Sequence, residues 1–113
     1  MTDQRPNVAV VGCGYWGQNL IRNFHNLGSL RAVCDVDPDR MRKTAERYGV
    51  SALGSFDELL EIPEIHGIVI AAPAAQHYEL AKKALLAGKD VFVEKPIALH
   101  AEEGQEQIGR AHV

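Results

Sequence analysis

"VAVVGCGYWGQNL", residues 8–20, decides how the rest of the chain is read. Four apolar residues run straight into glycines at 12, 14 and 17. An apolar, β-branched run closed by glycine reads as a buried strand. The spacing G-x-G-x-x-G then suits a tight turn into a helix. Glycine is common, so the pattern alone is weak, and its meaning depends on what surrounds it.

Moving outward, strand-like and helical patterns alternate. Leu20, Phe24 and Leu27 recur at helical spacing after the turn, and Gly28 closes that helix. "LRAVCDV" is a second strand. Asp37 and Pro38 suit the cap and first turn of a helix with Met41, Ala45 and Tyr48 on one face, stopped by Gly49. A short strand over 51–53 precedes a brief helix capped by Ser55. "GIVIAAP" is so uniformly apolar that it belongs at the centre of a sheet, covered on both faces. Tyr78, Ala81, Leu85 and Leu86 mark the next helix, Gly88 ends it, and "DVFVEKP" is a further strand. A polar helical stretch is expected from about Ala101. Such alternation with short connections predicts a Rossmann-type, doubly wound parallel sheet, incomplete at its last strand.

The bulk numbers agree. With 113 residues the chain suffices for one domain, and 24% charged residues against 46% apolar is ordinary for a globular protein. A net charge of −3 disfavours nucleic acid or an acidic membrane as partner. No apolar run is long enough to span a bilayer, and "MTDQRPN" lacks the apolar core of a secretion signal, so a cytoplasmic location is expected. Cys13 and Cys34 read as small buried thiols at strand ends, because their spacing suits neither zinc nor a disulfide scaffold. No metal is expected.

In this setting the glycines gain a meaning. They come after a strand and open a helix, as a dinucleotide fingerprint requires. Gly12 permits the turn, Gly14 lets backbone approach a pyrophosphate, and Gly17 lets helix pack on strand. The N–H groups of Tyr15, Trp16 and Gly17 then face the phosphates from the positive end of the helix dipole. Asp35, at the end of the second strand, can accept both adenosine ribose hydroxyls and would repel a 2′-phosphate, which favours NAD over NADP. Arg40 could offset that repulsion. With Asp37 serving as the helix cap, Asp35 is left free for the ligand.

Two later stretches fall where parallel strands end and such folds do chemistry. Ala72 and Pro73 lie at the cleft rim after the fourth strand, and His77 is in the first turn of the next helix, as apt for a solvated surface residue as for a functional one. "EKP", residues 94–96, ends the fifth strand. Lys95 there can hydrogen-bond a substrate hydroxyl and favour its alkoxide, easing hydride departure to nicotinamide.

The stretches "GCGYWG", "CDVDPDR" and "AAPAAQHYELAKKALLAGKDVFVEKPIAL", in this order, resemble the N-terminal half of the Gfo/Idh/MocA oxidoreductases. The similarity covers about Asn7 to Glu103, with "EKP" its most specific part. It implies NAD(P) binding by Gly12, Gly14, Gly17 and Asp35, with Glu94 and Lys95 near nicotinamide and substrate and His77 at a position where the family often has histidine. It further implies a sugar or polyol substrate. "GYWGQNLIRNF" is similar to members that oxidise nucleotide-activated sugars. A second α/β domain, carrying most of the sugar pocket, a catalytic histidine and usually the oligomer interface, is also implied, so the full-length protein is expected to be a homo-oligomer. None of that domain is in this sequence, and the fragment alone is expected to be inactive. The ending "IGRAHV" makes poor helical sense. A common short-read sequencing adapter, translated in one frame, reads Ile-Gly-Arg-Ala-His-Val and then stops. The chain is accordingly divided into a dinucleotide-binding domain over 1–107 and a non-native tail over 108–113, and Arg110 and His112 are given no function.

Two other classes compete with the redox reading. An S-adenosylmethionine-dependent methyltransferase also has a glycine turn and an acidic second-strand end, although "EKP" has no obvious task there. A non-enzymatic nucleotide-binding module, or an inactive fragment, is the third possibility.

Overall fold

The computed structural model describes residues 7–71, 74–93 and 97–99, with backbone alone at 74–77 and 97–99. In chain order the elements are β1 Val8–Val11, α1 Tyr15–Asn26, β2 Leu30–Cys34, α2 Pro38–Tyr48, β3 Ser51–Ala52, α3 Phe56–Leu60, β4 Gly67–Ile70, α4 Ala74–Leu86, β5 Asp90–Val93 and β6 Ile97–Leu99. They form a sheet in the order β3-β2-β1-β4-β5-β6. The first five strands are parallel and β6 runs antiparallel to β5.

The sequence reading did not include β6. "IAL" is too short to show a period, and it forms a strand because the far edge of β5 offers unpaired backbone groups. The expected helix beyond Ala101 lies outside the described residues.

Strand side chains alternate between two cores, as a pleated sheet requires. Val8, Val10, Val33 and Val69 face α1 and α2, meeting Ile21, Met41 and Ala45. Ala9, Val11, Ala32, Ile68, Ile70 and Val91 face α3 and α4, meeting Leu59, Ala84 and Leu85. With helices on both faces, the two central strands β1 and β4 are buried along their whole length.

The helix ends obey local chemistry. Asp37 caps α2 by accepting from the N–H groups of Asp39 and Arg40, Pro38 occupies the first turn, and Gly49 ends the helix with φ +67°. Ser55 caps α3 through the Glu58 N–H. Among the described residues no helix is long and apolar enough to cross a membrane.

Register sets the functional end. Val11 of β1 stands level with Cys34 of β2 and Ile70 of β4, so these three strands finish at one height. The connections leaving β1 and β4 depart toward opposite faces, which opens a crevice at their carboxyl ends.

Candidate functional site

The turn after β1 lies in that crevice. Gly12 has φ +106°, and a Cβ there would meet the Ala71 carbonyl oxygen at 2.9 Å. A Cβ on Gly17 would overlap the Gly12 carbonyl oxygen outright, so α1 can start this close to β1 only with glycine at 17. Gly14 is different: the nearest neighbour of a Cβ there would be Arg40 Nη1 at 3.9 Å, an ordinary contact without a clash. Internal packing therefore explains the first and third glycines and does not require the second.

Gly14 is the N-cap of α1 and supplies no side-chain acceptor. Among the described residues none accepts from the N–H groups of Gly14, Tyr15, Trp16 or Gly17; the first bond of the helix runs from Gln18 N–H to the Gly14 carbonyl at 2.8 Å. Four donors at the positive end of a helix thus stand open, a ready site for an anion. Tyr15 and Trp16 flank it, 87% and 46% exposed.

Asp35 borders the same cleft, and its carboxylate is already occupied. Oδ1 accepts from Asp37 N–H at 2.8 Å and Arg40 Nη2 at 3.0 Å. Oδ2 accepts from Cys13 N–H at 2.6 Å and Arg40 Nε at 3.1 Å. Four donors fill the acceptor sites of a carboxylate. Burial pushes the Asp35 carboxyl up, but the bonds from Arg40, Asp37 N–H and Cys13 N–H outweigh it and hold the group below its ordinary range. The same pairing raises the Arg40 guanidinium. Asp37 does cap α2, yet Asp35 is not left free as the sequence suggested. Its side chain is 2% exposed, while that of Arg40 is 47% exposed and shields it from the cleft. A ribose diol can reach Asp35 only in exchange for Arg40.

Cys13 sits between these parts. Its thiol is buried and free, and burial, reinforced by the Asp35 charge, pushes it up to about 11. Cys34 is likewise buried and raised, first by burial and then by Asp35. Both are inert as nucleophiles at neutral pH. The Cys13 carbonyl accepts from Gln18 Nε2 at 2.8 Å. That amide also donates to Thr44 Oγ1 at 2.9 Å, and the Thr44 hydroxyl donates to the Arg40 carbonyl at 2.8 Å.

The cleft encloses about 370 Å³, bounded by Gly12, Gly14, Asp35, Val36 and Arg40 and floored by Phe56 and Leu80. The structure thus brings together Gly12, Gly14, Asp35 and Arg40. His77 is the fourth residue of α4. Ala72, Pro73, Glu94, Lys95 and the tail 108–113 lie outside the described residues. Sequence reasoning missed Gln18, Thr44, Val36 and Phe56. Val36, 95% exposed on the cleft, carried a signal as an apolar residue among the charges of "CDVDPD". The Gln18–Thr44 pair, 26 residues apart, carried none.

Comparison with known proteins adds to this geometry. Residues 6–112 match the family described as an oxidoreductase family with an NAD-binding Rossmann fold. Inositol 2-dehydrogenase of Ralstonia nicotianae is 33% identical over 100 residues, 84% of this chain and 30% of that protein. The structure of GenD2 from gentamicin A biosynthesis, in complex with NAD, superposes with a TM-score of 0.80 and 31% identity, covering 97% of this chain and 32% of that one. The WlbA dehydrogenase of Bordetella pertussis, in complex with NADH and UDP-GlcNAcA, gives a TM-score of 0.78 at 27% identity, over 100% and 36% of the two chains. The chain therefore spans about a third of the length of these relatives. Between the nicotinamide dinucleotide and S-adenosylmethionine, the match selects the former.

Proposed function

The chain belongs to the Gfo/Idh/MocA oxidoreductase family, and from that premise we propose that it is the cofactor-holding part of an NAD-dependent dehydrogenase acting on a sugar or polyol carbinol. The observation that carries the reading is the set of four open N–H groups over Gly14–Gly17, beside a buried carboxylate, at the point where the crossovers diverge. A dinucleotide fits these residues. The open side of Gly14 admits a diphosphate against bare backbone, and a cleft of about 370 Å³ has the size of a site for a nucleoside-sized group.

When bound, the nicotinamide supplies the hydride acceptor for the oxidised carbon. The residues of this chain bind and orient. Peptide N–H groups hold the diphosphate. Asp35 would accept from the adenosine ribose hydroxyls in exchange for Arg40, and its charge would disfavour a 2′-phosphate, so NAD would be preferred over NADP. Ala72, Pro73, His77 and Glu94 are assigned to cofactor binding by their place in the sequence. Lys95 donates to the substrate hydroxyl and stabilises the alkoxide as the carbon–hydrogen bond breaks. The hydroxyl proton passes to a base in the remaining two-thirds of the protein. Inositol 2-dehydrogenase and WlbA among the relatives support a cyclic polyol or a nucleotide-linked sugar as substrate.

The test is titration of the chain with NADH and NADPH, read by energy transfer from Trp16, the chain's single tryptophan, at the mouth of the site. Saturable transfer to NADH, at least tenfold tighter than to NADPH, is expected. Absence of transfer with either refutes the reading.

A further inference from the structure

Both backbone polar groups of Cys13 are held by side chains. Its N–H donates to Asp35 and its carbonyl accepts from Gln18 Nε2 at 2.8 Å. The orientation of the Gln18 amide is dictated by chemistry. The Cys13 carbonyl only accepts, and the Thr44 hydroxyl has committed its proton to the Arg40 carbonyl, so the group facing both must be the NH2. Each of its two hydrogens has an acceptor, and Gln18 is fixed from both sides.

The consequence falls on the next peptide group. A trans peptide is planar, so a Cys13 carbonyl aimed at Gln18 turns the N–H of Gly14 the opposite way. Rotating that plane changes φ at residue 14, where glycine resists least. Unrestrained, the 13–14 peptide can turn over and replace a donor on the open side by a carbonyl oxygen, which repels phosphate.

We propose that Gln18 is a positioning residue for the diphosphate: by gripping the Cys13 carbonyl it keeps the Gly14 N–H aligned with those of Tyr15, Trp16 and Gly17. The proposal rests on the dinucleotide reading of the site. Through Thr44 the same grip reaches the α2 backbone at Arg40, so the phosphate turn and the turn that shields Asp35 are tied to one side chain.

The experiment compares the unaltered chain with Gln18→Leu and Gln18→Glu. Binding of NADH is monitored by Trp16 energy transfer, and binding of ADP and adenosine by nuclear magnetic resonance titration. Gln18→Leu should weaken NADH and ADP by about three- to tenfold, the effect of one hydrogen bond, and leave adenosine unchanged. Gln18→Glu should bind ADP poorly at pH 8, where a carboxylate cannot donate. It should recover relative to the unaltered chain toward pH 5 as the carboxyl regains a proton, a recovery that Gln18→Leu lacks. Unchanged ADP affinity in both variants, equal losses for adenosine and ADP, or no recovery in Gln18→Glu would each overturn the proposal. An unaltered chain that binds neither NADH nor ADP overturns the dinucleotide reading and this proposal with it.

Discussion

Replacing Asp35 by asparagine tests whether this carboxylate holds the fold as well as facing the cleft. The carboxylate collects four donors: Cys13 N–H, Asp37 N–H and two from Arg40. An amide of the same shape has one acceptor oxygen and one NH2, so two of the four donors must face hydrogens. With the oxygen turned to the buried Cys13 N–H, Asp37 N–H and Arg40 Nη2 lose their acceptor. Arg40 is half-exposed and rehydrates, at a loss of about 0–1 kcal/mol. The Asp37 peptide loses a bond to a charged acceptor, about 1.5–3 kcal/mol. The sum is about 1.5–4 kcal/mol, which for a domain of this size lowers the melting temperature by roughly 6–17 °C. Urea unfolding monitored by circular dichroism at pH 7 measures it. The sign with pH is also set. Asp35 is held below its ordinary value in the fold, so its contribution is complete above the ordinary carboxyl value and is lost as pH falls through the lowered one. Asp35→Asn should lack that part of the acid limb. A variant with an unchanged midpoint at pH 7, or with the full acid limb intact, refutes the reasoning.

The second and third glycines of the turn should separate binding from folding. Gly14→Ala, with room for its methyl, should keep its melting temperature within a few degrees and lose NADH affinity by tenfold or more. Gly17→Ala, whose methyl overlaps the Gly12 carbonyl, should lose both, as scanning calorimetry and NADH titration would reveal. Cys13, raised to about 11 from 9.0, keeps its proton in the fold. It should therefore contribute stability below pH 9 that is lost between pH 9 and 11, by about 2–3 kcal/mol in all. Cys13→Ala should flatten that alkaline limb in urea titrations run at successive pH values. In the full-length protein, Lys95→Ala should depress turnover by at least a hundredfold with little change in NADH affinity; undiminished turnover removes Lys95 from the mechanism.

Much of the architecture was legible because burial leaves a mark on composition. "VAVV" and "GIVI" are apolar at every position because helices cover both faces of β1 and β4, and Asp37-Pro38 and Gly49 announce the ends of α2 in local terms. The glycine turn was legible for the same reason: what it needs is the absence of a side chain. Groups whose role comes from distant partners were not. Lys89 reads as a loop residue, yet its ammonium is buried and donates to the carbonyls of Ile62 and Ile65 at 2.7 and 2.6 Å. Gln18 looks like any polar residue on a helix until Thr44 is brought beside it. Arg40 reads in the sequence as a charge near Asp35, but only three dimensions show it supplying two of that carboxylate's four donors.

Anyone wishing to redesign this scaffold for a phosphorylated ribose would begin by removing the negative charge at residue 35. Here the same atom fastens the first loop to the second strand, through the peptide hydrogen of residue 13. On the proposed reading, ligand selectivity and the integrity of the loop would be inherited together, and a one-letter swap would trade one against the other. A successful redesign would need a neutral oxygen, such as a serine hydroxyl, delivered to that peptide hydrogen while the cationic replacement is installed further along the helix.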